Sequence, residues 1–197
     1  WWSDDSMLIA VKEMFSSINR FPLAAIPFFI LDGNLMETGG ISRRLVEFAK
    51  SLVGGVQGGL AATCVLTCMI FAAVSGSSVA TTFAIGAILI PALIRHGYPT
   101  NFAAALQATS AELGVVIPPS IPMILYAVMA ETSVVQLFVA GIVPGIVGGL
   151  GLMAMASWFA RRYDLPREAA FSWGRVGSTA REALWAFLLP IIILGGI

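Results

Sequence analysis

Residues 71–94 read FAAVSGSSVATTFAIGAILIPALI, and residues 112–122 read ELGVVIPPSIP. Each is an apolar run interrupted by residues that end a helix. The first is broken by Ser75, Gly76, Ser77 and Ser78, the second by Pro118, Pro119 and Pro122. Glycine frees the backbone and proline removes an N–H donor, so both stretches predict broken helices rather than continuous ones. Within a bilayer, irregular backbone is tolerated only where it is buried in protein or lines a watery cavity. The first break is therefore either a small-residue packing notch or a polar tip at depth. The second is either a proline kink or a place where freed carbonyls and helix ends face an ion or anion. Two such breaks close together in sequence favour a site over either alternative.

Working outward, the rest of the chain supplies the apolar setting that these breaks require. It is 58% hydrophobic and 11% charged, against about a quarter charged in soluble domains, and its mean hydropathy is +0.89. The expected fold class is an all-α integral membrane protein, a multi-span helical bundle. Eleven basic and eleven acidic residues cancel, leaving no global basic field, so no nucleic-acid partner is expected. Cys64 and Cys68, one helical turn apart in an apolar run, read as small buried hydrophobes with neither metal nor disulfide. WWSDDSMLIAVKEM lacks the basic start and long apolar core of a signal peptide. A first residue other than Met, and a final apolar run too short to cross about 30 Å of hydrocarbon, give the expectation of a fragment.

Apolar runs cover residues 21–36, 55–74, 79–94, 101–132 and 134–160, and a last span is expected to open near Glu182. Between the first two, ISRRLVEFAKSLV puts Ile41, Leu45, Phe48, Ala49 and Leu52 at helical spacing opposite Arg43, Arg44, Glu47 and Lys50, which predicts an amphipathic helix at the membrane surface. Nine of the eleven basic residues fall at Arg43–Lys50, at Arg95, and at Arg161, Arg162, Arg167, Arg175 and Arg181. If all three places are cytoplasmic, residues 55–94 must enter and leave on one side. Charge allows either two full spans or a re-entrant hairpin. The arm Val79–Ile94 is about 24 Å long at 1.5 Å per residue, short of the far side, and predicts the hairpin.

Two carboxylates also fall near mid-membrane by residue count: Glu112, roughly 16 Å along its helix from Asn101, and Asp32 at similar depth from Phe21. Acids at such depth are either site residues or locally paired. His96 lies in a basic loop and reads as solvated.

At these residues the chain acquires a resemblance. IPFFILDGNLMETGGISRRLVEFA, FAAVSGSSVATTFAIGAILIPALIRHGY, SAELGVVIPPSIPMILYAV and FVAGIVPG resemble, in order and spacing, the large permease subunit of TRAP (tripartite ATP-independent periplasmic) transporters, from about Phe21 to Gly145. Asp32 stands where the family often has a small residue before the Gly-Asn-Leu-Met that contains Asn34. Thr81 stands where an Asp often follows the hairpin Ser-Gly-Ser. The resemblance implies an elevator-type, sodium-coupled importer with two inverted repeats, of which this chain supplies the first. Ser75, Gly76, Ser77 and Ser78 match the hairpin tip, and Gly114, Pro118, Pro119 and Ser120 match the break opposite. Sodium would be held by Ser75, Ser77 and backbone near Pro118, with Glu112, Asp32, Asn34 and Thr81 as secondary candidates and no other cofactor.

On that basis residues 1–54 would be a scaffold helix with a surface arm, and 55–133 a transport unit made of hairpin 55–94 and broken helix 101–132. Residues 134–197 would add a scaffold span, a basic loop and the start of the next span. The implied partners are a small membrane subunit, a periplasmic substrate-binding protein, the lipid bilayer and an organic anion such as a C4-dicarboxylate or sialic acid, at the bacterial inner membrane. A single-component sodium/carboxylate symporter is the nearest alternative. An intramembrane serine protease would need a histidine at the depth of SGSS, and the only histidine is His96.

Overall fold

The computed structural model describes residues 4–19, 21–163 and 172–196. Every regular element among them is a helix: α1 Asp4–Ile18, α2 Phe21–Thr38, α3 Ile41–Val53, α4 Gly59–Ser75, α5 Ser78–Arg95, α6 Thr100–Ala111, α7 Leu113–Val116, α8 Ile121–Met129, α9 Val134–Arg162 and α10 Trp173–Gly196. α5 and α9 are long and apolar enough to cross a membrane. A third span results if α6–α7 and α8, bent by 42° at the proline break, count as one. The apolar bundle expected from composition is therefore present.

α4 is the centre of the bundle. Leu60 through Val65 are buried, as are Thr67, Cys68, Phe71, Ala72, Val74 and Ser75. Its threonines fit this setting because each hydroxyl is consumed by its own helix: Thr63 donates to the Gly59 carbonyl at 2.7 Å and Thr67 to that of Thr63 at 2.7 Å. Packed around α4 are α3, α5, α6, α7 and α9.

α9 shows why the helices approach so closely. Beyond Phe138 its buried face carries Gly141, Gly145, Gly149, Ala156 and Ala160, while Val139, Val143, Ile146, Val147 and Leu150 are exposed on the other side. Small residues inward and large apolar residues outward is the arrangement expected where lipid removes the hydrophobic drive between helices and close packing must hold them. A methyl group on Gly141 would lie 2.5 Å from the Val116 carbonyl, and one on Gly145 2.6 Å from Ile117. α9, grouped with the scaffold on sequence grounds, thus rests directly on the proline break.

Four features depart from expectation. α1 was not anticipated, and its described side chains are all exposed. α3 is amphipathic, but its apolar face, with Leu45 and Ala49 fully buried, is covered by α4 and α10 rather than turned to lipid. The last helix opens at Trp173 instead of near Glu182, so Arg175 and Arg181 lie on helical turns. Its partly buried Val176, Thr179 and Ala180 and its buried Ala183 recur at helical spacing, and Thr179 meets Ser51 of α3 at 3.0 Å. Arg167, in the expected basic loop, lies outside the described residues. Finally, α5 has 18 residues, about 27 Å, which narrows the margin by which that arm was expected to fall short of a full span.

Candidate functional site

The hairpin arms α4 and α5 are joined by only Gly76 and Ser77. Gly76 closes α4 in the left-handed conformation, φ 61°, with its amide donating to Ala72 at 3.0 Å, the helix end that glycine serves without penalty. Ser77 is extended and caps α5, its hydroxyl accepting from the Ala80 amide at 3.3 Å. The chain reverses in two residues because a C-terminal glycine cap runs straight into an N-terminal serine cap.

The break opposite is built by subtraction. Pro118, Pro119 and Pro122 have no N–H, so the carbonyls of Gly114, Val115 and Pro118 lose their helical donors. Ser120 replaces one of these, its hydroxyl donating to the Val115 carbonyl at 2.6 Å. The Ile121 amide, which a continuous helix would give to Ile117, instead donates to the Gly76 carbonyl at 3.1 Å. The Pro118–Pro119 bond is cis. Pro122 sits in the first turn of α8, where proline is accommodated.

These two features meet. A methyl group on Gly76 would be 2.5 Å from the Pro119 carbonyl oxygen, and one on Gly114 would be 3.1 Å from the Ser78 amide and 3.3 Å from the Ser77 carbonyl. Both glycines are there because backbone lies against backbone. The structure thus brings together Ser75, Gly76, Ser77, Ser78, Gly114, Pro118, Pro119 and Ser120. Ser75, Gly76, Pro118, Pro119, Ser120 and Gly114 are buried, and Ser77 and Ser78 are partly so. Thr81 joins them: it is fully buried, donates to the Ser77 carbonyl at 2.7 Å and lies 3.4 Å from the Ser75 hydroxyl. The result is a cluster of hydroxyl and carbonyl oxygens without a fixed cationic side chain among these nine residues, the ligand type that hard cations take.

The other secondary candidates behave differently. Glu112 is exposed at the junction of α6 and α7, and Asn34 is exposed on α2. Both occupy an outer side of the described helices, which the depth counted for Glu112 along its helix does not reveal. The Asp32 side chain lies outside the described set. Its neighbour Gly33, which the sequence did not single out, reaches the tip: a methyl there would make ordinary contact with Ser75 and Ala80 at 3.5 and 3.6 Å. Cys64 and Cys68 are free and buried, but they are not merely small hydrophobes. Both thiols face the carboxamide oxygen of Gln107, at 3.1 and 3.7 Å.

Comparison with known proteins finds relatives along the whole chain. Residues 1–197 match the family described as tripartite ATP-independent periplasmic transporter, DctM component. The chain is 47% identical over 196 residues to the C4-dicarboxylate TRAP transporter large permease protein DctM of Pseudomonas aeruginosa, covering 100% of this chain and 46% of that protein. It is 45% identical over 184 residues to the isethionate TRAP transporter permease protein DctMQ of Oleidesulfovibrio alaskensis, covering 93% and 29%. To the 2,3-diketo-L-gulonate TRAP transporter large permease protein YiaN of Escherichia coli it is 40% identical over 196 residues, covering 100% and 46%. The chain therefore spans less than half the length of these relatives.

Proposed function

The chain belongs to the DctM component family of tripartite ATP-independent periplasmic transporters, and from that premise we propose that it forms part of a permease importing a small organic anion across the bacterial inner membrane, driven by sodium. A C4-dicarboxylate, sialic acid or a related carboxylate is the substrate class, and a small membrane subunit and a periplasmic binding protein are the partners. The relatives are named for different anions, C4-dicarboxylates, isethionate and 2,3-diketo-L-gulonate, which supports a shared anion-handling core. The role is transport, with no bond made or broken.

The observation that carries this reading is the docking of the hairpin tip on the proline break. Two interrupted apolar helices close on each other through Gly76 and Gly114, and their turns offer hydroxyls and unladdered carbonyls instead of charges. Paired broken helices at mid-membrane are how secondary transporters hold an ion and a substrate without a permanent buried charge. On this reading Ser75, Ser77 and carbonyls near Pro118 hold sodium, whose charge faces the anion, and the hairpin is re-entrant. The unit of α4 to α8 then moves as an elevator against the scaffold.

Uptake into vesicles containing the full-length permease with its partners tests it. Transport should require sodium on the outer side. Undiminished uptake in potassium-only buffer with a proton gradient would overturn sodium coupling.

A further inference from the structure

The side-chain amide of Gln107 joins three helices of the proposed site unit, α4, α5 and α6. Gln107 lies on α6 and is 1% exposed. Its oxygen accepts from the thiols of Cys64 at 3.1 Å and Cys68 at 3.7 Å, both on α4, and its nitrogen donates to the Thr81 carbonyl at 3.3 Å on α5. A slot exists for its stem: a methyl group on Gly86 of α5 would stand 3.3 Å from the Gln107 Cγ and 3.6 Å from its Cδ, so α5 gives room where the side chain passes. Thr81 continues the chain of contacts to the tip, with its hydroxyl on the Ser77 carbonyl at 2.7 Å and 3.4 Å from that of Ser75.

We propose that Gln107 is a positioning residue for the hairpin tip, locking α4 and α5 to the first half of the broken helix so that the tip oxygens are held in one arrangement. A buried carboxamide has both donors and acceptors to satisfy, and any slip of one helix past the others would leave part of it unpaired at a depth without water. Apolar contacts between the same helices tolerate sliding; the amide does not. Its link to the tip runs through Thr81, so loosening Gln107 loosens Ser75 and Ser77 before it loosens the far ends of the hairpin. The proposal's consequence for sodium affinity rests on the transport reading above, but its consequence for tip order does not.

Hydrogen exchange on the full-length permease in lipid, without sodium, separates the two. Gln107→Leu, which keeps most of the volume, should raise the exchange rate of amides in residues 74–82 about tenfold, the scale set by losing one to two net hydrogen bonds. Leu89→Ala, which opens the packing two turns beyond Thr81, should raise exchange around residue 89 and leave the tip unchanged. Gly86→Ala, which crowds the amide without deleting it, should reproduce part of the Gln107→Leu effect and serves as the second variant should Gln107→Leu fail to accumulate. Sodium titration of uptake should then show Gln107→Leu raising the half-saturating concentration with little change in maximal rate. Unchanged tip exchange in Gln107→Leu or, if that variant does not accumulate, in Gly86→Ala, or an equal tip effect from Leu89→Ala, overturns the positioning role. Altered tip exchange with sodium-independent wild-type uptake overturns the coupling ion alone.

Discussion

The carbonyl of Gly76 accepts the amide of Ile121 at 3.1 Å, so the hydrogen bond missing from the broken helix is made by the hairpin that faces it. The joint also fixes what residue 76 can be. Gly76→Ala would combine a left-handed backbone, φ 61°, with a methyl group 2.5 Å from the Pro119 carbonyl. Gly40 shares the conformation, φ 72°, but has open space around it. Gly40→Ala should therefore cost only the conformational penalty, about 1–2 kcal/mol, and keep transport. Gly76→Ala should destabilise more and abolish uptake. Thermal unfolding and vesicle uptake of both variants check this, and equal effects would show that the joint is not tight.

The glycine face of α9 gives a second contrast. Gly141→Ala drives a methyl into the Val116 carbonyl, whereas Gly151→Ala meets nothing within 4 Å. Alanine is favoured over glycine in a helix interior by roughly 1 kcal/mol. Gly151→Ala should leave the melting temperature unchanged or raise it, and Gly141→Ala should lower it while loosening the break.

An aromatic stack ties the start of α6 to the end of α9. Phe159 lies 3.9 Å from Phe102 and 4.3 Å from Tyr163 between ring centres, and Tyr98 continues the stack at 5.8 Å from Phe102. Phe159→Leu keeps apolar volume and should lose about 1 kcal/mol, the worth of ring geometry. Phe159→Ala should lose on the order of 3 kcal/mol, because it removes the central ring. Melting curves of the two variants separate stacking from bulk.

How much of this was legible beforehand depends on the kind of signal. The two breaks stood out because glycine and proline act on the backbone locally, and SGSS and IPPSIP look the same in any packing. Gln107 did not stand out. A single amide in an apolar helix says nothing until the helices bearing Cys64, Cys68 and Thr81 are seen around it. Residue count gives the depth of Glu112 along its helix but not the side it faces, and its exposure is visible only once the helices are packed. The start of α10 is hidden in the sequence because its first turns are polar, and their packing on α3, where Thr179 meets Ser51, appears only in the fold.

The last prediction separates a capping role from an ion-binding one. Ser77 caps α5 through the Ala80 amide at 3.3 Å, and Ser133 caps α9 through that of Gln136 at 3.4 Å. Removing either cap should cost about 1 kcal/mol of stability. Only Ser77 lies at the proposed sodium site, so Ser77→Ala should also raise the sodium concentration for half-maximal uptake by roughly tenfold, the equivalent of about 1.4 kcal/mol of lost contact. Ser120→Ala should do likewise, because its hydroxyl holds the Val115 carbonyl at 2.6 Å and its loss would let the turn near Pro118 relax. Ser133→Ala should melt as early as Ser77→Ala yet show the sodium dependence of the unmodified protein. If all three variants kept that dependence, the tip and break would not be the sodium site. If Ser133→Ala shifted it as far as the others, the effect would belong to helix stability and not to ligation.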